Sequence, residues 1–124
     1  MRKALLVGSL LTISGLLSAA EKKLMHCFAF TSIKEATAAD WKAWQSATDA
    51  LPKKMPGVVT RVWHGKLRRP LSAGGAVRDY GVCMEMADEA ALQTYAKHTA
   101  HDEWVKLYEK VRVEGTTTFD ILGQ

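Results

Sequence analysis

The chain's 124 residues, 48% hydrophobic and 24% charged, suffice for one two-layer core and exclude two full domains. Its formal charge of +4 falls to +2 without Arg2 and Lys3, a balance that argues against a nucleic-acid surface, where basic residues cluster on one face. The one local basic group, Lys66, Arg68 and Arg69, stands beside Pro70 and Gly74-Gly75 and reads as a solvated loop.

Residues 1–20 read as a secretory signal peptide: Arg2 and Lys3 form a basic start, residues 4–17 an apolar run, and Ser18-Ala19-Ala20 a small-residue cleavage site. The run is short for a membrane span, which takes about 20 apolar residues. The expected product is residues 21–124, exported to a periplasmic or extracellular space and free of the membrane. An uncleaved anchor and a start at Met25 are the alternatives. In an exported chain Cys27 and Cys83 form either a disulfide or two small buried thiols, and the second reading asks less of the geometry.

Residues 24–31, LMHCFAFT, suit a first strand, whose alternation puts His26, Phe28 and Phe30 on one face and Cys27 and Ala29 on the other. Residues 37–51 carry Trp41, Trp44, Thr48 and Leu51 at helical spacing behind a Thr37/Asp40 capping box, and Pro52 and Pro56-Gly57 end that helix. Residues 58–66, VVTRVWHGK, form a second strand. Residues 67–79 are too many for a tight hairpin and are expected to be a surface loop or flap. Residues 80–86 form a third strand with Tyr80, Val82, Met84 and Met86 on one side.

Asp88 then caps a helix over residues 89–97 with Ala91, Leu92, Tyr95 and Ala96 as its buried stripe. Thr99 with Asp102 caps a restarted helix in which Trp104, Leu107, Tyr108 and Val111 share a face, and residues 116–122, TTTFDIL, close as a strand. The order β-α-β-β-α-α-β predicts an α+β fold. It is the ferredoxin-like split βαβ, with one antiparallel-rich four-stranded sheet and helices on one face. The other face is left uncovered, and the expected occupants of that face are His26, Phe28, Phe30, Val82, Met84 and Met86. An uncovered apolar face calls for a partner. A two-fold homodimer with the sheets face to face answers it and encloses a cavity for a small apolar or aromatic molecule.

The residues that carry chemistry gather in residues 95–108, YAKHTAHDEWVKLY. Tyr95 and His101 form a candidate catalytic acid-base pair, because imidazole titrates near neutrality and a phenol donates to a developing oxyanion. The other reading packs Tyr95 in the helix stripe and leaves His101 to tether the junction. His26, Phe28, Phe30, Val82, Met84 and His98 are the candidate ligand contacts, although a lone strand histidine also suits a hydrogen-bonded core position. His98 and His101 stand three apart beside Asp102 and Glu103, but helix capping accounts for that spacing, so no metal is assigned. There is no Gly-rich phosphate loop, nucleophile elbow or pair of catalytic carboxylates, and no cofactor is called for. Trp41, Trp44, Trp63 and Trp104 read as core and interface mass.

The stretches MHCFAF, LPKKMPG, YGVCMEM, YAKHTAH and TTFDIL together resemble the stress-responsive α/β barrel (Dabb) family over nearly all of residues 24–122. The sharpest match is the junction, where the family's His-Pro-x-His becomes His98-Thr99-Ala100-His101. The resemblance implies a ferredoxin-like protomer that dimerises into an α/β barrel. It also implies that the tyrosine and histidine used by a cyclase of the family fall on Tyr95 and His101, and a further pocket histidine on His26. A fourth pocket histidine falls on Val82 and is missing, which departs from that cyclisation chemistry. The resemblance thus implies a small-molecule pocket. Its runner-up implications are a cyclase- or isomerase-like enzyme and a structural dimerisation module without a ligand.

Overall fold

The computed structural model describes residues 22–124, so the expected signal peptide at residues 1–20 lies outside the described residues. The elements are β1 (Leu24–Phe30), α1 (Ala38–Asp49), α2 (Leu51–Lys54), β2 (Val59–Ala73), β3 (Ala76–Met86), α3 (Glu89–Lys97), α4 (Thr99–Tyr108) and β4 (Thr117–Leu122). The strands form one antiparallel sheet in the order β2-β3-β1-β4, with β1 and β3 at its centre. This is the expected ferredoxin-like arrangement with a divided second helix.

The sheet's two faces are the reverse of the expectation. Phe28 packs edge-on against Trp104 and Tyr108, and Phe30 against Trp44 and Tyr108, so the even-numbered positions of β1 face the helices. Their β3 partners Met84, Val82 and Tyr80 are buried beside them. The helices present large aromatic rings, and only the strand face with matching bulk fills the space between the layers. The uncovered face instead carries the odd positions of β1. Cys27 pairs with Cys83 on one side and Phe119 on the other, and Cys83 pairs with Trp63, so a row Trp63-Cys83-Cys27-Phe119 crosses all four strands. Trp63 is 79% exposed, and Phe119 and Ile121 are also exposed.

Cys27 and Cys83 are joined by a disulfide across the two central strands, the reading that asked more of the geometry. Directly opposed positions on neighbouring strands bring the two side chains together once both point to the same face. Residues 67–79 are not a loop. They complete a long hairpin in which Ala73 pairs with Ala76 across Gly74-Gly75, both with positive φ (56° and 80°). Two consecutive glycines supply the twist that a two-residue hairpin turn needs. The register shift between Lys66 and Leu71 absorbs the extra length of β2 at Pro70, which has no amide proton to offer the ladder.

Thr37 and Asp40 form the expected reciprocal capping box of α1. Pro52 does not end the helical run; it sits in the first turn of α2, where a missing amide proton costs nothing. Thr48 fastens α1 to α4, donating to the Trp44 carbonyl at 2.7 Å and accepting from Trp104 Nε1 at 2.8 Å. Asp88 caps α3 by accepting from the Ala91 amide at 2.7 Å, whereas Ala96 lies exposed outside the buried stripe. The cap of α4 is His98 rather than Thr99: its Nδ1 accepts from the Ala100 amide at 3.0 Å. Among the described residues no helix is long and apolar enough to cross a membrane.

Candidate functional site

Where α3 breaks into α4, the two helices turn their aromatic residues onto β1 and β4. Tyr95 ends the buried stripe of α3, and its ring meets that of His101, in the first turn of α4, edge-on at 4.5 Å between centroids. His26 on β1 faces both from the sheet, 6.1 Å from the Tyr95 ring. Its Nδ1 lies 2.5 Å from Asp120 Oδ1 on the neighbouring β4, the strand position directly opposite. Tyr95, His101 and His26 line one open cleft of about 260 Å3 with Phe28, Trp104, Val105, Tyr108, Arg112, Thr116 and Thr118.

Of the residues singled out from the sequence, His26, Phe28, Tyr95 and His101 therefore meet at one cleft. Phe30, Val82 and Met84 do not: they fill the layer between sheet and helices and are buried to within 2%. They were expected on the uncovered face, and the reversal of the faces moves them into the core. His98 is spent on its capping bond and does not line the cleft. Among the described residues no three His, Cys, Asp or Glu side chains gather to hold a metal ion.

The electrostatics separate the two central groups. Burial disfavours the His101 imidazolium, and His26 adds to the effect against an opposing pull from Asp102, so its pKa lies below the usual value and the ring is neutral at pH 7. Its Nδ1 is buried and has no hydrogen-bond partner. Burial, with the neighbouring Tyr108, raises the Tyr95 phenol well above its ordinary value, so it stays protonated and able to donate. The pair thus presents a neutral imidazole and a phenolic proton donor at one end of the cleft.

The other end was not foreseen. Arg112 lies with its guanidinium 4.4 Å over the Tyr108 ring and donates from Nη1 to Thr116 Oγ1 at 2.9 Å, and the Tyr108 hydroxyl meets the same oxygen at 3.0 Å. An isolated bridge pairs Arg112 with Ser32, which fixes its backbone beside the end of β1. Nothing in the local spacing of residues 109–116 marks Arg112. It acquires its place only when the chain after α4 folds back onto β1. Asp120 was missed for a related reason, because its partner His26 is nearly a whole chain away.

No protein-family model matches the sequence, and no curated protein matches it. Among solved structures the chain is similar to a dimeric ferredoxin-like protein of unknown function from Jannaschia sp. CCS1, with 22% identity, a TM-score of 0.64, and coverage of 80% of this chain and 97% of that one. A Dabb family protein with a ferredoxin-like fold from Mesorhizobium loti is 20% identical at a TM-score of 0.58, covering 84% and 99%. Hydroxynitrile lyase from Passiflora edulis superposes at a TM-score of 0.67 with 9% identity, covering 86% and 96%. The chain therefore has the ferredoxin-like fold found in a Dabb family protein, the fold that the resemblance of its sequence motifs implied.

Proposed function

We propose that this protein is exported and works as a homodimer that binds a small apolar or aromatic molecule in the cleft between β1, β4 and the α3-α4 junction. The observation that carries the reading is the meeting of His26, Tyr95 and neutral His101 in one cleft walled by Phe28, Trp104 and Tyr108. A largely apolar cleft with a few convergent polar groups is the usual form of a small-molecule site. The dimeric ferredoxin-like structures that the chain resembles, and the exposed Trp63 and Phe119 on its uncovered face, support the homodimer. Native mass spectrometry of the protein purified gently from an export-competent host tests the whole reading. The expected result is a dimer that starts at residue 21 and carries a non-protein mass, lost in the His101→Ala variant. A wild-type protein that stays empty through a panel of small aromatic compounds would leave only a structural dimerisation module.

A second reading, a cyclase- or isomerase-like enzyme of proton-transfer chemistry, rests on the contact between His101 and Tyr95. The neutral imidazole would take a proton from carbon next to a carbonyl, and the Tyr95 hydroxyl would donate to the oxygen that gains charge. With a substrate in hand, Tyr95→Phe should lower kcat by about 100-fold or more, within the usual contribution of such a group, while binding changes little. Turnover unaffected by both Tyr95→Phe and His101→Ala would end this reading.

A further inference from the structure

Two guanidinium groups converge at the end of the cleft away from His101. Arg112 lines it directly, and Arg78 reaches the same stretch from β3, donating from Nε to Thr117 Oγ1 at 3.2 Å and from Nη1 to Thr31 Oγ1 at 3.3 Å. The Arg78 terminal nitrogens come close to Gly115, so both arginines press on residues 115–117. Arg78 is about nine-tenths buried, and the Arg112 Nε is buried without a hydrogen-bond partner. Among the described residues no carboxylate lies within ion-pair distance of either; the hydrogen-bond partners of both are neutral threonine hydroxyls. A guanidinium about nine-tenths withdrawn from water, beside a second that is partly buried, is costly with no counter-charge, and an anion seated between them and the cleft removes that cost.

We infer that this end of the cleft is an anion subsite: Arg112 and Thr116, backed by the charge of Arg78, hold the carboxylate of a small acid whose aromatic or apolar body lies against Phe28, Trp104 and Tyr108. The inference rests on the ligand-binding reading above and names the class of ligand. A guanidinium presents paired donors that match a carboxylate, and the terminal nitrogens of Arg112 carry protons beyond the one given to Thr116. The walls beyond it are apolar, so the group that enters carries its charge at one end only. At the opposite end His26 lines the cleft, backed from behind by Asp120, four residues further along the chain from Thr116 or about 13 Å if extended, so a second carboxylate already stands near that end and disfavours a ligand bound the other way round. An acid of cinnamate length, seated on Arg112, directs its far end toward Tyr95 and His101.

Cinnamate, its neutral isostere cinnamamide, and inorganic phosphate serve as probes against the full-length protein by calorimetry, with 15N NMR of the arginine side chains as a second readout. Cinnamate should bind at least 10-fold more tightly than cinnamamide and shift the Arg112 Nε resonance of the unmodified protein. Arg112→Gln should erase that preference, so that cinnamate and cinnamamide bind the variant about equally, and Arg112→Lys should retain part of it. Should Arg112→Gln fail to fold, the NMR shift alone decides. Equal binding of cinnamate and cinnamamide, with no movement at Arg112, overturns the anion subsite but leaves the apolar pocket standing. Phosphate that binds as well as cinnamate overturns the assignment of an acid with an apolar body. If neither organic probe binds, the pocket reading itself falls and the subsite falls with it.

Discussion

Thr48 is a small residue with a large structural share. Its hydroxyl occupies the crossing of α1 and α4, where it satisfies the indole of Trp104 from a fully buried position. Thr48→Val keeps the shape but strands the Trp104 N–H in the core. The expected loss is about 1–3 kcal/mol of unfolding free energy, read by urea denaturation, and an unchanged midpoint would mean that the indole finds another partner. His101 makes a pH-dependent contribution of opposite character. Its folded pKa lies below the unfolded value, so the unfolded chain binds its proton first as pH falls. The stability that comes from keeping it neutral is therefore complete above about pH 6.5, the unperturbed value, and is lost as the pH drops through the folded pKa. His101→Gln should flatten the stability profile below pH 6.5, measured as the urea midpoint against pH. A profile as steep as that of the unmodified protein would place the titration elsewhere.

At the scale of elements, the hairpin and the disulfide show what spacing reveals and what it hides. The strands, the two helices around the junction and the Thr37/Asp40 and Asp88 caps were legible, because each is set by residues within one turn or one alternation of each other. The hairpin across Gly74-Gly75 was not, since Arg68, Arg69 and Pro70 look like loop residues and the bulge that seats them exists only in the paired register. Which strand face meets the helices was also hidden: His26, Phe28 and Phe30 were correctly grouped but placed on the wrong side, because alternation gives two faces and no sign. The site was readable in part for the same reason. Tyr95 and His101 lie six residues apart in the sequence, while Arg112, Thr116 and Asp120 join them only through the return of the chain to β1. The disulfide closes a separation of 56 residues at the centre of the sheet, so its reduction releases much chain entropy. Cys27→Ser with Cys83→Ser should lower stability by about 2–4 kcal/mol without changing the sheet content by circular dichroism. A loss within error of zero would mean that the β1-β3 register holds without it.

For the whole molecule, the uncovered sheet face is where the proposed homodimer would form. It carries Trp63 and Phe119 at either end of the disulfide row, with Ile121 beside them, and a groove of about 290 Å3 lined by Trp63, Leu71 and Phe119. A tryptophan that is 79% exposed on the edge strand β2 makes little contribution to the domain's own core, and a partner on that face would relieve its cost in water. Two-fold symmetry makes the same patch serve both sides: Trp63 of one copy can cover Phe119 of the other, and the reverse contact follows automatically. The helix-side cleft with His101 lies on the far side of the sheet, so the proposed assembly and the proposed ligand site use different surfaces and can be broken separately. Trp63→Glu should therefore convert the proposed dimer into a folded monomer in light scattering at micromolar concentration, since it would put two like charges into that interface and removes nothing from the core. Ligand affinity in the His101 cleft should survive in that monomer. A Trp63→Glu protein that remains dimeric would show that the copies meet elsewhere. One that unfolds would show that Trp63 is needed within the protomer itself, contrary to its exposure.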